Sequence, residues 1–206
     1  MGMSDTYAQV MRSVTAAANQ EFDAAVTDFR AGLEQVRAAD AHAGHFSFED
    51  VPAPKRLAPH AYAVAATVHL DQDEDRDEVA SGRLVLLYDP AGGEGWSSVF
   101  RLVAYVRADV EPEVAADPLL GEVGWSWLTE ALEVPGYTAE SGTVTRVITE
   151  GYGAKSDELP TTSFELRASW SPAGSENALA DHVTAWCACL AAAAGLEPPG
   201  TRAFRR

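Results

Sequence analysis

Three strand-like segments follow one another with connections too short for a crossover helix. Residues 61–70 (AYAVAATVHL), 82–89 (GRLVLLYD) and 99–109 (VFRLVAYVRAD) are rich in apolar and β-branched residues. A parallel pair of strands needs a connection of a dozen or more residues, which is usually helical. The three segments are therefore predicted to form a mostly antiparallel sheet.

Two later strands and three helices complete the predicted fold. Residues 141–153 and 161–170 have the same strand character. Apolar periodicity predicts helices over residues 7–36 and 123–134, and from an N-cap at Ser175 to a stop at Gly195. The order α-β-β-β-α-β-β-α indicates a two-layer α+β domain, with helices on one face of a five-stranded sheet.

The chain divides into four predicted regions. Residues 1–40 form an amphipathic helix, in one piece or in two with a break near residues 13–20. Unbroken, the helix would be on the order of 50 Å long, so it must break, project, or pack on a second copy. A proline-containing connection (41–60), the α+β core (61–195) and a loose tail (196–206) follow.

Charge excludes several classes of partner. The chain has 31 acidic and 15 basic residues, a net charge of −16. Such a chain repels nucleic-acid backbones and anionic membrane surfaces, whereas a basic or amphipathic protein segment is compatible with it. Two cysteines and no signal-like N-terminal segment predict a cytoplasmic protein.

Motifs for catalysis or metal binding are missing from the sequence. There is no Gly-x-Ser-x-Gly elbow and no lysine-containing phosphate loop. Cys187 and Cys189 would point about 200° apart on a helix, so they do not share a metal. We expect a non-catalytic protein without a cofactor or a metal.

Two tryptophans in DPLLGEVGWSWLTEAL (117–132) have two interpretations. Trp125 and Trp127 follow Gly124 on the wide apolar face of a predicted helix. They are either core residues at the rim of a helix–sheet interface, or the border of a groove where an apolar partner segment docks.

Arginines on the predicted strands also have two interpretations. Arg101, Tyr105 and Arg107 alternate along one strand, while Arg146 and Arg167 lie on two others. Cross-strand ion pairs would explain them. Alternatively, these five residues form a positive, aromatic-bordered sheet face that binds an anionic ligand.

Four stretches resemble the signature stretches of an actinobacterial family, domain of unknown function 3000. They are VPAPKRLAP, DPLLGEVGWSWLTEAL, SGTVTRV and RASWSP, and the resemblance covers roughly residues 48–200. It implies no activity. Genes of that family often lie near a ribonuclease D-like gene, which leaves an accessory role in RNA processing open.

The element order resembles the type III secretion chaperone-like fold. Its members are typically small, acidic, dimeric and non-catalytic, and they bind segments of partner proteins. We therefore expect an acidic interaction or chaperone-like module, a homodimer, that binds a basic or amphipathic partner segment. The alternative is a small-molecule binding protein or enzyme that uses the arginine-bearing sheet face for an anion.

Overall fold

The computed structural model describes residues 3–39, 45–70, 78–173 and 179–196, with side chains from residue 13 onward. It shows an α+β fold, as the sequence predicts. A single turn of 3-10 helix covers Gly153–Lys155. The main elements are α1 (Met3–Ala38), β1 (Phe46–Asp50), β2 (His60–His69), β3 (Glu78–Tyr88), β4 (Phe100–Asp109), α2 (Pro112–Ala116), α3 (Leu120–Leu132), β5 (Tyr137–Thr149), β6 (Thr161–Pro172) and α4 (Leu179–Ala193).

One open sheet has the strand order β1-β2-β3-β4-β6-β5, and every neighbouring pair is antiparallel. The prediction of five strands is corrected to six within the described residues, because β1 lies inside the predicted connection 41–60. In β1 Phe46 and Phe48 alternate with polar residues, and Phe46 pairs with Val68 of β2. The prolines of the connection begin only after β1 ends.

The core lies between one face of the sheet and helices α1, α3 and α4. Alternate residues of each central strand enter it, since side chains of a strand point to opposite faces in turn. Its largest fully buried side chains are those of Trp170, Trp186, Tyr88, Phe29, Phe100 and Phe164.

Helix α1 is continuous over 36 residues, about 54 Å at 1.5 Å per residue. Among its described side chains, the buried ones begin at Ala18 and continue through Phe29 and Val36 at helical spacing. The side chains of residues 13–17 are all exposed, and that of Val14 is 57% exposed. The predicted break near residues 13–20 is therefore absent, and from residue 13 onward the packed part of the helix starts at Ala18.

Helix α4 is positioned by α1 at its N-terminus and by a glycine at its C-terminus. A carboxylate oxygen of Asp28 accepts the Ala180 backbone N–H at 3.1 Å, which satisfies one of the donors left free at a helix start. The predicted N-cap Ser175 lies outside the described residues. At the other end Gly195 has a left-handed φ of 72°, and Leu196 N–H donates to Ala191 O at 2.9 Å.

Several predicted boundaries shift. The helix predicted over 123–134 runs from Leu120 to Leu132, so Val134 lies beyond it and is 88% exposed. The strand predicted over 141–153 begins four residues earlier, at Tyr137. The segment between β4 and α3 contains the short helix α2. The acidic connection at 71–77 and the tail at 197–206 lie outside the described residues.

Candidate ligand site on the helix-free face of the sheet

Two rows of side chains cross the face of the sheet that the helices leave uncovered. The register of β3, β4, β6 and β5 aligns them across all four strands. One row is Arg83, Tyr105, Arg167 and Thr143; the next is Val85, Val103, Ser169 and Ser141. Polar groups thus stand beside an apolar floor on the same surface.

These two rows form a basin of about 650 Å³. Its volume lies within the range typical of sites for small organic molecules. The side chains of Val85 and Val103 form the apolar part, and hydroxyl and guanidinium groups border it. Backbone of Ala104, Gly142 and Ala168 completes the lining.

A second apolar cluster covers the neighbouring part of this face. Ala63, Val85 and Leu87 pack with residues of the 51–58 connection and with Trp96 from the loop before β4. Arg83 donates a hydrogen bond to the Pro52 carbonyl oxygen, which ties the connection to β3. The connection and Trp96 cover one part of this face, and the basin lies on the part between them and strand β5.

Arg101 lies on the same face, and only 8% of it is exposed. Its Nη1 donates to Ala139 O at 2.7 Å, and its Nη2 donates to Ser169 Oγ at 2.8 Å. A third contact joins Nη1 to Ser171 Oγ at 3.4 Å. Burial lowers the pKa of Arg101, and the charge of Glu140 opposes this. Within the described residues Arg101 forms no ion pair with a carboxylate.

A β-bulge in β5 positions one of the carbonyl oxygens that accept a hydrogen bond from Arg101. The register of β5 with β6 shifts between Thr138 and Ser141, and Ala139 has a left-handed φ of 52°. Few non-glycine residues adopt this conformation without local support. The Ala139 carbonyl accepts from Arg101, so the bulge and the buried guanidinium stabilise each other.

Two other arginines of this face, Arg107 and Arg167, each form an ion pair with a carboxylate. Arg167 Nη2 lies 2.8 Å from Glu165 Oε2, and its guanidinium lies 5.1 Å from the centre of the Tyr105 ring. Burial and the neighbouring Glu165 raise the pKa of Tyr105. Arg107 pairs with Asp109 at 2.9 Å and does not line the basin. The Arg107–Asp109 pair is half-exposed and contributes little to stability. In the other pair Glu165 is only 18% exposed, but Arg167 is 59% exposed and can turn to a ligand.

Arg146 lies on the opposite face from the other predicted anion-binding residues. It pairs in register with Phe164, a core residue. Its Nη1 donates to Asp117 O at 3.0 Å and to Ala115 O at 3.4 Å, which holds the end of α2. The structure therefore brings Arg101, Tyr105, Arg107 and Arg167 together and leaves Arg146 out.

Arg83 and three hydroxyl residues line the basin although the alternation pattern did not select them. They are Arg83, Ser141, Thr143 and Ser169. Which residues of different strands become neighbours depends on the pairing register. The 11 residues of β3 begin four positions before the predicted strand, and an alternation pattern within one strand does not determine its register with the next.

The tryptophans of α3 pack against the sheet. A Cβ built at Gly142 of β5 would lie 2.4 Å from the Trp125 ring, so Trp125 occupies the space that a side chain would fill. The Trp127 ring meets Phe164 edge-on, with centroids 5.4 Å apart. Gly124 is buried and allows Phe164 to approach α3. Both tryptophans are partly buried, as packing residues at the rim of the core would be.

Trp127 also lines a second groove, of about 640 Å³, on the helix side of the molecule. Apolar residues of several elements form it, and Asp109 and Glu111 stand at its acidic border. The apolar members include Leu70, Val79, Val110, Val114 and the end of α4 at residues 192–194. Leu70 is 47% and Val114 43% exposed, so this apolar surface is open to solvent.

Three titratable side chains of α4 are buried, those of His182, Cys187 and Cys189. His182 is fully buried, its Nδ1 accepts a hydrogen bond from Trp170 Nε1 at 3.2 Å, and burial lowers its pKa to about 4. Burial raises the pKa of both cysteine thiols, that of Cys189 to about 12. In the part of the chain that the structure describes, no three His, Cys, Asp or Glu side chains are grouped to hold a metal ion.

Comparison with known proteins identifies a family. Residues 20–202 match DUF3000, a family described as proteins of unknown function, and the chain belongs to it. The match starts within α1 and includes every strand. The chain matches no curated protein and no solved structure. Among the described helices, none is long and apolar enough to cross a membrane.

Proposed function

We propose that this member of the DUF3000 family binds a small organic anion with an apolar part in the basin on the helix-free face. The observation that carries the proposal is the state of Arg83 and Arg101. Neither forms an ion pair with a carboxylate in the described regions, although acidic residues outnumber basic ones two to one. Two guanidinium groups without an ion-pair partner, both beside one basin, favour an anion.

Each side of the basin suits one part of such a ligand. Val85 and Val103 would contact its apolar portion. Arg83 and Arg167 stand on either side of Tyr105 in one row and would bind a carboxylate or phosphate through guanidinium hydrogen bonds.

Arg101 would act through Ser169. Because Ser169 Oγ accepts a hydrogen bond from Arg101, the hydroxyl hydrogen of Ser169 is free to donate to a ligand or to Ser141 Oγ, which lies 3.4 Å away. The buried charge also contributes a positive field that little water screens.

Phenyl phosphate and phenol are a matched pair of probes for this function. They share an aromatic ring and differ in the anionic group. We expect phenyl phosphate to bind in isothermal titration calorimetry and phenol to bind much more weakly. Arg83→Gln should weaken the binding of phenyl phosphate by about tenfold, which is about 1.4 kcal/mol.

Arg107→Gln is the control, since Arg107 lies on the same face, pairs with Asp109 and does not line the basin. It should leave the affinity within about twofold of the wild type. Equal affinities for phenyl phosphate and phenol, or equal losses in the two variants, would contradict an anion site in the basin.

We propose a second function for the groove at Trp127, the binding of a cationic, amphipathic segment of a partner protein. The open apolar surface at Leu70 and Val114, and the acidic side chains of Asp109 and Glu111 at its border, support this occupant. The protein would then be a non-catalytic, chaperone-like module and a homodimer in the cytoplasm of an actinobacterium.

A Lys/Leu amphipathic peptide with a fluorescent label tests the second function. Fluorescence anisotropy should show binding to the wild type and a loss of about tenfold or more with Val114→Glu, because a carboxylate would enter the apolar wall. Val134→Glu is the control, since Val134 is exposed and does not line the groove. Equal binding by the two variants would contradict this site.

A further inference from the structure

The two edges of the sheet differ in how well they are protected. Edge strands carry unpaired backbone N–H and C=O groups, and proteins usually guard them with charges, prolines, bulges or short length. At one edge, β1 has only five residues and ends in Glu49 and Asp50. Asp50 is held by Arg30 of α1 and by Tyr62 of β2, and prolines follow in the connection. This edge is short and charged.

The opposite edge strand, β5, is 13 residues long and mostly exposed. Among the described strands, its one sheet neighbour is β6. The bulge near Ala139 interrupts it only at its start, and from Ser141 to Thr149 it pairs with β6 in an unbroken register. Nine consecutive residues are thus available in regular extended geometry, about 30 Å of strand.

The sequence of these nine residues favours pairing with another strand. SGTVTRVIT contains six β-branched residues, no proline and no acidic residue, in a chain with 31 acidic residues. Its one charged side chain, Arg146, is turned onto the carbonyl oxygens of Ala115 and Asp117. It is therefore drawn towards α2 and protects the edge little.

We propose that residues 141–149 pair antiparallel with the same residues of a second copy, so that two six-stranded sheets join into one. Self-pairing is centred on Thr145, so Glu140 and Glu150 face each other only where the paired segment ends. Within residues 141–149 the opposite residues are neutral except Arg146, which faces Val144, and no carboxylate is set against a carboxylate. That is a requirement for contact between two chains of net charge −16. An antiparallel strand pair has its two-fold axis perpendicular to the sheet, which makes this a closed dimer.

The joined sheet would carry both basins on one continuous face. Ser141, Gly142 and Thr143 line each basin. They belong to the pairing strand, so the partner's β5 would border each basin on its open side. The dimer itself does not depend on ligand binding, and it can be tested on the protein alone.

Sedimentation velocity and two proline variants test the proposal. The wild-type protein should be dimeric at high micromolar concentration and dissociate on dilution. Successive residues of a strand direct their N–H groups to opposite sides, so of Val144 and Thr145 one donates towards β6 and the other outwards. We expect one of Val144→Pro and Thr145→Pro to abolish the dimer and largely keep the melting temperature, and the other to lower the melting temperature.

Lysine variants provide a second, milder measurement. Ile148→Lys places a charge on an exposed residue of the pairing segment and should raise the dimer dissociation constant about tenfold or more. Val134→Lys, at an exposed residue outside β5, should not. A wild-type protein that stays monomeric up to submillimolar concentration would overturn the proposal. So would a dimer that none of the β5 variants weakens, or a monomer that instead pairs β5 with an added extended peptide.

Discussion

The two faces of the central sheet share the same strands and differ in almost every other respect. On β4, Phe100, Leu102, Ala104 and Val106 point under the helices, and Arg101, Val103, Tyr105 and Arg107 point away from them. The first set is buried and wholly apolar. The second combines a buried arginine with partly exposed side chains. One strand therefore supplies the core and the candidate site through alternation alone.

A basic side chain is buried on each side of the sheet, and burial affects the protonation state of the two differently. His182 is fully buried on the helix side, and Arg101 is 8% exposed on the other. Burial lowers the pKa of both. A histidine with a pKa of about 4 is neutral near pH 7, whereas the ordinary pKa of arginine is so high that a lowered value leaves it protonated.

The difference leaves the charged member of this pair on the helix-free face. Neutral His182 needs no counter-ion, and its imidazole is part of the core. Arg101 keeps its charge and is surrounded by carbonyl and hydroxyl oxygens. Such dipoles satisfy its hydrogen bonds without neutralising its charge. Its positive charge therefore acts on the helix-free face, where the charge of Glu140 partly offsets it.

The largest expected effect comes from adjacent residues on opposite faces. Leu102 is fully buried, so Leu102→Ala should lower the free energy of unfolding by about 4 kcal/mol. Val103→Ala, one residue further on, should lower it by only about 1 kcal/mol, because Val103 is partly exposed at the floor of the basin. Urea denaturation measures both. Similar losses would mean that the helix-free face is covered in solution.

A somewhat smaller effect is expected from the proton equilibrium of His182. Its pKa is about 4 in the folded protein, and the ordinary pKa of a histidine is 6.5, so between these values the unfolded chain binds the proton and the folded chain does not. The free energy of unfolding should therefore fall as pH drops from about 6.5 to about 4, by about 3 kcal/mol in all, and this contribution should be flat below pH 4.

His182→Gln isolates this contribution. Glutamine keeps a hydrogen-bond acceptor for Trp170 Nε1 and does not titrate. Carboxylates protonate alike in both proteins, so the difference between their unfolding free energies should shrink or reverse towards acid pH. A difference that stays constant from pH 7 to pH 4 would show that His182 is solvated.

Much of the fold could be predicted because it depends on local patterns. The alternation in 99–109 predicts β4 and its two faces, and the short connections predict antiparallel pairing. β1 was missed because its two phenylalanines occupy only five residues beside three prolines, too short for a pattern. What makes β1 a strand is its pairing with β2, and this is a non-local property.

The candidate site could be predicted only in part, and for the same reason. Alternation alone places Arg101, Tyr105 and Arg107 on one face. Whether residues of other strands join them depends on the pairing register and on the strand order. In the sheet β6 lies between β4 and β5, although β5 comes first in the sequence. Arg146 falls opposite Phe164 and so points into the helix layer, whereas Arg83 falls opposite Tyr105 and lines the basin.

The smallest expected effect concerns two glycines of α3. A Cβ at Gly124 would lie 2.3 Å from the Phe164 ring, so Gly124→Ala should lower the free energy of unfolding by about 2 kcal/mol through overpacking. Gly121 has no atom within 4 Å of the same position, and Gly121→Ala should raise it by about 0.5 kcal/mol through helix propensity.

Thermal denaturation of the two variants distinguishes packing from propensity in the helix that carries Trp125 and Trp127. Opposite signs are expected, because only Gly124 is pressed against the sheet. Stabilisation by both substitutions would mean that α3 does not contact β6 as closely as the structure shows. In that case the rings of Trp125 and Trp127 would be free to contact a partner instead of the sheet.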